Sequence, residues 1–289
     1  MIQSMVWCDG DVRDAADACV SALDRTLLYG LGAFETFRLH GGRPFMLDRH
    51  LQRMCGTLAS MRLDVPPLLA SLPDGVVELA ARLEKPSALC RVTVTAGAGP
   101  EAVGTKGAGQ RVLAMLREPP AVADPPVRVD IAPFAADARS PLSGVKSTSY
   151  LAHYLQREEA ERAGRVEDLM LDRDGCVTEG TVSNVFIVRA GELVTPPVRT
   201  GILPGVTRSI VIELAEAADI AVVERPLPLD ELAQADELFL TGAGKCLVGV
   251  DELAGQTLPT DRPITSALHR ALAKRIAESC GVSVETVRF

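Results

Sequence analysis

The sequence predicts a mixed α/β fold in two domains. Segments with strand periodicity and segments with helical periodicity follow one another without a regular βαβ alternation, which argues against a doubly wound sheet. A run of four prolines in nine residues, Glu118 to Pro126, interrupts both patterns. Proline continues neither a helix interior nor an interior strand, so this run marks a linker. The 289 residues, 47% of them hydrophobic, suffice for two modest cores. The expected organisation is a domain over residues 1–117, a linker over 118–126 and a domain over 127–289.

The elements are expected in this order. Thr36 to Leu39 and Pro44 to Leu47 flank His40-Gly41-Gly42-Arg43, a hairpin signal. From about Asp48 the apolar residues Leu51, Met54, Leu58 and Met61 recur every three or four positions, as on one face of a helix. Leu68 to Leu83 reads as a second helix. Leu89 to Thr95 alternates apolar and polar residues around β-branched positions, a strand, and Arg111 to Leu116 reads as another. Beyond the linker, Val127 to Ile131 resumes as strand and Tyr150 to Ala163 reads as a helix. Leu169 to Leu171, Val185 to Val188, Leu193 to Thr195 and Leu238 to Thr241 are short strands. Val206 to Ala217 reads as a helix with Ile210, Val211 and Leu214 on one side, and Ile264 to Ser279 as the closing helix.

Several function classes are disfavoured. The net charge of -8 opposes non-specific binding to nucleic acid, while leaving room for a local basic pocket for a small anion. No run of 18 apolar residues implies a membrane span, and the first residues, MIQSMVWCDGDVRD, do not resemble a secretory signal. The seven cysteines (Cys8, Cys19, Cys55, Cys90, Cys176, Cys246 and Cys280) are odd in number and scattered, the usage of reduced thiols in a cytoplasmic protein. Gly30-Leu-Gly32 lacks the third glycine of a dinucleotide fingerprint. Gly99 to Lys106 reads Gly-Thr-Lys where a phosphate loop needs Gly-Lys-Ser/Thr. There is no Gly-x-Ser-x-Gly elbow, and His40, His50, His153 and His269 show no metal-binding spacing.

Four segments carry the chemistry. In Gly144-Val-Lys146-Ser-Thr-Ser-Tyr150-Leu, a lysine sits between a small-residue loop and an amphipathic helix. About thirty residues on, Leu171-Asp-Arg-Asp-Gly175-Cys-Val-Thr-Glu179-Gly-Thr-Val-Ser-Asn184-Val-Phe reads as strand, Asp-Gly turn, strand, then a buried carboxylate beside small residues. Gly201-Ile-Leu-Pro-Gly205-Val-Thr207-Arg208 runs straight into a helix, and a hydroxyl residue after glycine at a helix N-terminus makes an anion cradle. Upstream, Tyr29-Gly-Leu-Gly-Ala-Phe-Glu-Thr36 opens the first domain's sheet, and Arg53 lies on the helix after the hairpin.

Together these motifs resemble the class IV aminotransferases, the fold-type IV pyridoxal-phosphate enzymes. That family includes branched-chain and D-amino acid aminotransferases, R-selective amine transaminases and aminodeoxychorismate lyases. The resemblance runs from about Val6 to Val250. It implies two α/β domains with pyridoxal 5'-phosphate in the cleft between them, the Schiff-base lysine in the C-terminal domain, and a homodimer. Lys146 matches the Schiff-base lysine and proton shuttle. Glu179 matches the carboxylate beside the pyridine nitrogen, and Arg53 the phosphate-binding arginine. Val206 and Thr207 match the phosphate cradle. Tyr150 matches a tyrosine near the cofactor's phenolic oxygen, with a spacing from the lysine one residue shorter than in branched-chain enzymes. Asn184 matches the asparagine after the carboxylate motif, and Thr241, Gly242 and Ala243 are assigned to the cofactor as well. Tyr29, Phe34, Arg91 and Gly244 are expected to line the substrate pocket.

These residue types suit the chemistry the resemblance implies. The cofactor is an electron sink, and the protein supplies orientation and electrostatics. The lysine must exchange its imine with an incoming amine and then move a proton, which needs a depressed pKa. A carboxylate beside the pyridine nitrogen keeps it protonated, and an arginine gives a charge-assisted grip on phosphate. The reaction expected is transamination between an amino acid or amine and a 2-oxo acid; the alternative is aminodeoxychorismate lyase chemistry, releasing pyruvate and 4-aminobenzoate. Pocket motifs point both ways. Arg91 falls where branched-chain enzymes place an arginine near the substrate carboxylate. Ala96-Gly97 stands where the D-amino acid enzymes and the lyases usually have arginine before glycine, and Gly97-Ala-Gly99-Pro-Glu-Ala-Val-Gly lacks the arginine and tyrosine of the lyase loop. Conversely, Phe34-Glu-Thr36 and Thr241-Gly-Ala-Gly-Lys245 look more like the lyase and D-amino acid side, and a phosphate-contacting threonine of branched-chain enzymes is replaced by Ala243.

Overall fold

The computed structural model describes residues 4–99 and 109–287. The glycine-rich segments Gly97–Gly104 and Gly99–Lys106 therefore lie outside the described residues from position 100 onward. The chain forms two compact units. The first draws on Met1–Pro120, Val145–Tyr150 and Ile276–Val287, the second on Ala121–Gly144 and Leu151–Arg275.

The first unit is built on a six-stranded sheet. In chain order its elements are β1 (Met5–Cys8), β2 (Asp11–Asp14), α1 (Arg25–Tyr29), β3 (Gly32–His40), β4 (Arg43–Pro44), α2 (Leu47–Ser60), α3 (Leu72–Arg82), β5 (Ala88–Thr95) and β6 (Val112–Arg117). The strand order is β2-β1-β6-β5-β3-β4, with all pairings antiparallel. Successive side chains of a strand point to opposite faces. Ala33, Phe37 and Leu39 of β3 thus join Cys90, Val92 and Val94 of β5 in one core with Met54 and Leu58 of α2 and Leu72, Val76 and Leu79 of α3. Trp7 of β1 is fully buried against α3. A Cβ on Gly75 would lie 2.0 Å from its Nε1, so only glycine lets the helix approach that closely.

The segment Val145–Tyr150 packs with this first unit, stitched to the start of β3. Phe34 N–H donates to Lys146 O at 3.0 Å, and Thr148 N–H to Gly32 O at 2.8 Å. The Thr148 hydroxyl donates to Gly30 O at 2.7 Å. This gives Gly30 and Gly32 their purpose. Gly30 ends α1 in the left-handed region, at φ 67°. A Cβ on Gly32 would come within 2.8 Å of Thr26 and 3.0 Å of the Thr148 hydroxyl.

The second unit contains β7 (Arg128–Ala135), α4 (Leu151–Arg162), β8 (Glu167–Leu171), β9 (Cys176–Gly180), β10 (Asn184–Arg189), β11 (Glu192–Thr195), α5 (Val206–Glu216), β12 (Val222–Glu224), β13 (Leu227–Pro228), α6 (Leu229–Ala233), β14 (Glu237–Gly242), β15 (Cys246–Gly249), β16 (Glu252–Leu253), β17 (Gln256–Thr257) and α7 (Pro263–Cys280). Helix α7 runs on into the first unit from Ile276. Two sheets result, ordered β12-β11-β10-β14-β15 and β13-β9-β8-β7-β16-β17. Leu169, Val177, Val185, Ile187, Leu238 and Leu240 meet in their shared core.

The mixed α/β class agrees with expectation, and several elements differ from it. Strand Pro44 to Leu47 shrinks to Arg43–Pro44, because Met46 takes a left-handed φ of 50° and the helix starts at Leu47. The helix expected from Leu68 to Leu83 divides into a 3-10 turn, Pro67–Ser71, and α3. Pro73, which has no N–H to give, sits in the first turn of α3, where none is required. The hairpin β1–β2 was not anticipated. Its register pairs Cys8 with Asp11 across Asp9-Gly10, both at positive φ, and Asp-Gly between short strands is a two-residue turn signal.

Candidate active site

Strand β3 presents chemistry on both faces. Phe34 faces one way, and Lys146 Nζ lies 4.7 Å from its ring centre. Arg91, on β5 opposite Thr36, holds its guanidinium carbon 3.7 Å over the same ring. Tyr150 meets Phe34 edge-on, with centroids 5.2 Å apart and planes at 84°. Burial and the neighbouring charge of Arg117 both pull the Arg91 guanidinium below the usual arginine range. Arg91 makes no hydrogen bond or ion pair with the described residues. Four of the expected residues, Lys146, Tyr150, Phe34 and Arg91, are thus brought together. Tyr29 is not: at the end of α1 it is 62% exposed and shares none of these contacts.

Glu35 points to the opposite face, in phase with Ala33, Phe37 and Leu39, and is fully buried. On α2, His50 and Arg53 stand three residues apart, on one side of the helix. Arg53 donates from Nε to Glu35 Oε1 and from Nη2 to Glu35 Oε2, each at 2.7 Å, a fork-to-fork pair. His50 Nδ1 lies 2.8 Å from Glu35 Oε2. Burial works to raise the Glu35 carboxyl, but the hydrogen bonds and charge of Arg53 and His50 overcome it and hold the group down to about 2. Burial, with the charges of Arg53 and Lys146, pushes His50 down despite Glu35. A neutral imidazole beside an ionised carboxylate must donate from Nδ1, which fixes the tautomer. Neither Glu35 nor His50 was anticipated as part of the site.

In the second unit, Glu179 is next to last in β9 and Asn184 opens β10. Leu203 N–H donates to Glu179 Oε2 at 3.0 Å. Asn184 Nδ2 donates to Leu203 O at 2.9 Å and to Glu179 Oε2 at 3.4 Å. Glu179 was expected to be buried; it is half-buried, because its carboxylate reaches the Leu203 loop instead of the core, and the fully buried carboxylates of β8 are Glu167 and Asp168. The loop held by this network leads to Gly205, which precedes α5. A Cβ on Gly205 would lie 2.0 Å from Asn184 Oδ1, so glycine permits the approach.

Val206 and Thr207 form the first turn of α5, and both are buried. The first N–H groups of a helix have no partner within it and favour an anion. Arg208 is turned away from that turn, donating to Pro196 O at 2.9 Å and to Glu224 at 2.5 Å. Thr241 pairs with Asn184 across β10 and β14. Its hydroxyl is buried and has no hydrogen-bond partner among the described residues. Gly242 follows at the strand end, where a Cβ would lie 3.2 Å from Val182 O. Ala243 and Gly244 occupy the half-buried turn into β15. Among the described residues no group of three or more His, Cys, Asp or Glu side chains could hold a metal ion, and no helix is long and apolar enough to cross a membrane.

Comparison with known proteins identifies the family and the fold. Residues 32–253 match the family model for amino-transferase class IV. A putative branched-chain-amino-acid aminotransferase of Methanocaldococcus jannaschii is 37% identical over 258 residues, covering 88% of this chain and 89% of the relative. An aminodeoxychorismate lyase of Bacillus subtilis is 30% identical over 266 residues, covering 83% of each. The crystal structure of a branched-chain aminotransferase from Thermoproteus uzoniensis with norvaline superposes with a TM-score of 0.86 at 27% identity, covering 98% of this chain and 96% of that one. The mixed α/β architecture is therefore the fold-type IV architecture. The chain belongs to the class IV aminotransferase family, enzymes that work with pyridoxal 5'-phosphate.

Proposed function

We propose that Lys146 carries the cofactor and that the chain transfers an amino group from an amino acid to a 2-oxo acid. The observation that supports this most is the cluster on Phe34. The Lys146 amine and the Arg91 guanidinium, the latter with no carboxylate partner among the described residues, address the same ring, 4.7 Å and 3.7 Å from its centre. A partly desolvated guanidinium lacking a protein carboxylate suits the carboxylate of an amino or 2-oxo acid.

The residues fit pyridoxal 5'-phosphate. The N-terminus of α5 at Val206 and Thr207, and the orphaned hydroxyl of Thr241, suit a phosphate. The family resemblance assigns Arg53, oriented by Glu35, to phosphate binding as well. Glu179, held by Leu203 N–H and Asn184, suits a protonated pyridine nitrogen. Gly242, which ends β14, and Ala243 after it are assigned to the cofactor by the family resemblance. When bound, the cofactor supplies the electron sink that lets a substrate Cα lose its proton. In this reading Lys146 Nζ removes that proton and returns it, Glu179 keeps the ring nitrogen protonated, and Arg91 fixes the substrate carboxylate. Tyr150 is positioned by its edge contact with Phe34; Gly244 is assigned to the substrate by the family resemblance, and Tyr29, exposed at the end of α1, shares no contact with the Phe34 cluster.

The division into domains over 1–117 and 127–289 belongs to the same proposal, with the Lys146 segment Val145–Tyr150 and the end of α7 clustering with the first unit; so does a cytoplasmic setting, supported by seven free cysteines. So does a homodimer. Leu23, Leu27, Leu28 and Tyr29 of the first unit, and Leu151, Tyr154 and Leu155 of the second, are each at least half exposed, giving each unit apolar surface suited to a second copy. A monomeric mass in sedimentation would refute it. The second reading, lyase chemistry, is favoured by Phe34-Glu-Thr36 and by Ala243.

The test is the absorbance of the purified enzyme before and after adding L-amino acids, D-amino acids and (R)-amines. Conversion of the bound cofactor to pyridoxamine 5'-phosphate by any donor supports transamination, and the responding donor identifies the substrate class. No conversion by any donor, with cleavage of aminodeoxychorismate, would replace transaminase by lyase.

A further inference from the structure

Glu167 is a buried carboxylate that none of the chemistry above uses. It opens β8 and is 1% exposed. The six residues from Glu179 to Asn184 turn around it. Its Oε1 accepts from Val182 N–H and, at 3.3 Å, from the Thr181 hydroxyl. A Cβ on Gly180 would lie 2.4 Å from that same oxygen, so the turn closes on the carboxylate only because residue 180 is glycine. Two backbone bonds complete the turn, Gly180 N–H to Ser183 O at 2.8 Å and Thr181 N–H to Asp168 O at 3.1 Å. Lys245, at the far end of the Thr241–Lys245 turn, donates to Val166 O at 3.2 Å, next to Glu167 in the chain. Burial pushes the Glu167 carboxyl up, opposed by Val182 N–H and the charge of Lys245; burial pushes Lys245 down, opposed by Glu167. The two turns also touch, since Val182 O is the nearest atom to the Cβ that Gly242 lacks.

We propose that Glu167, with Lys245 as its counter-charge, is a positioning residue that sets Glu179 and Asn184 on one side and Thr241–Ala243 on the other at their cofactor-binding geometry. The inference rests on the proposed cofactor roles of those residues. A buried carboxylate that accepts from a loop N–H fixes that loop more firmly than apolar packing does, because releasing it would leave both donor and acceptor unpaired. Glu167 touches neither cofactor nor substrate in this role; it acts through the two turns.

The test uses the full-length apoprotein of the wild type, Glu167→Ala, Glu167→Gln and Lys245→Met. Three quantities are read: the Kd for added pyridoxal 5'-phosphate, the Tm without cofactor, and the pH titration of the bound cofactor's absorbance. Glu167→Ala is expected to weaken cofactor binding by about tenfold and to shift the pH titration in the direction that Glu179→Gln shifts it. Glu167→Gln, which retains a carbonyl acceptor for Val182 N–H, is expected to recover most of that affinity. Lys245→Met should fall between the two. Should Glu167→Ala fail to fold, Glu167→Gln and Lys245→Met still decide, by whether Kd and pH titration move. A lowered apoprotein Tm with wild-type Kd and wild-type titration in every variant would overturn the proposal and leave Glu167 a purely structural carboxylate. A wild type that binds no pyridoxal 5'-phosphate would instead overturn the cofactor reading beneath it.

Discussion

Replacing Glu35 by glutamine removes one negative charge from the centre of the first unit and leaves Arg53 and His50 in place. The carboxylate is fully buried, and its two oxygens accept both arms of the Arg53 fork, the His50 ring and, at 3.3 Å, Thr36 N–H. Its folded pKa of about 2, against 4.5 for the unperturbed group, corresponds to about 3 kcal/mol of preference for the charged form. An independent line gives a similar size. Breaking a buried ion pair from one side typically costs about 3–5 kcal/mol, because the remaining charge keeps its desolvation penalty. Glutamine retains one carbonyl acceptor for the fork, so Glu35→Gln is expected near the lower end and Glu35→Ala near the upper.

The sign with pH separates this from ordinary core damage. A carboxylate with a depressed folded pKa stabilises the fold fully above its unfolded pKa, and the contribution is lost as pH falls through the folded one. For Glu35 that window runs from about 4.5 down to about 2. Urea denaturation of wild-type and Glu35→Gln apoproteins at pH 7 and pH 3 measures it. The stability gap is expected to narrow by roughly 2 kcal/mol at pH 3, where the wild type has lost most of the linked term. The same pair compared in a His50→Gln background removes the His50 titration, which Glu35 influences by raising the His50 pKa. A gap of the same size at both pH values, or one below about 1 kcal/mol at pH 7, would refute the view that Glu35 is ionised and paired in the folded protein.

Other perturbations test the site directly. Lys146→Ala should abolish turnover and the absorbance of covalently attached cofactor; a variant with normal turnover would remove the central assignment. Arg91→Ala should raise KM for carboxylate substrates by about tenfold while leaving simple amines nearly unchanged; equal effects on both would show that Arg91 does not bind the carboxylate. Gly205→Ala would drive a methyl group into Asn184 Oδ1, 2.0 Å away, forcing Asn184 off Leu203 O and weakening pyridoxal 5'-phosphate binding by about tenfold. Unchanged cofactor affinity in that variant would argue that the loop at Leu203 plays no part in holding Glu179.

How much of this could be read from the sequence depends on how far apart the interacting residues lie. Helices α2, α5 and α7 and strands β5, β6 and β10 are written locally, in periodicities of 3.6 and 2, and their expected positions fall within a few residues of those observed. The motifs around Lys146, Glu179 and Gly205 were likewise legible as local patterns. The carboxylates were not. Glu35 is matched to Arg53 across 18 residues and Glu167 to Val182 across 15, and nothing local announces either pairing. A weaker signal was nonetheless present. Glu35 falls in step with Ala33, Phe37 and Leu39, and Glu167 in step with Leu169 and Leu171, so strand alternation places each acidic side chain on the apolar side of its strand. A charge in that phase needs partners from another element. For Glu35 the partners come from the one helical face that offers His50 and Arg53 three residues apart. For Glu167 they come from the turn after Glu179, where Gly180 and Val182 leave nothing but backbone and a small hydroxyl to approach. Glu179 itself, next to last in β9, turns its carboxylate to the Leu203 loop and is half-buried where full burial was expected. The acid that must meet a ligand is left half-buried, and the acids that must hold the scaffold are fully enclosed by their partners.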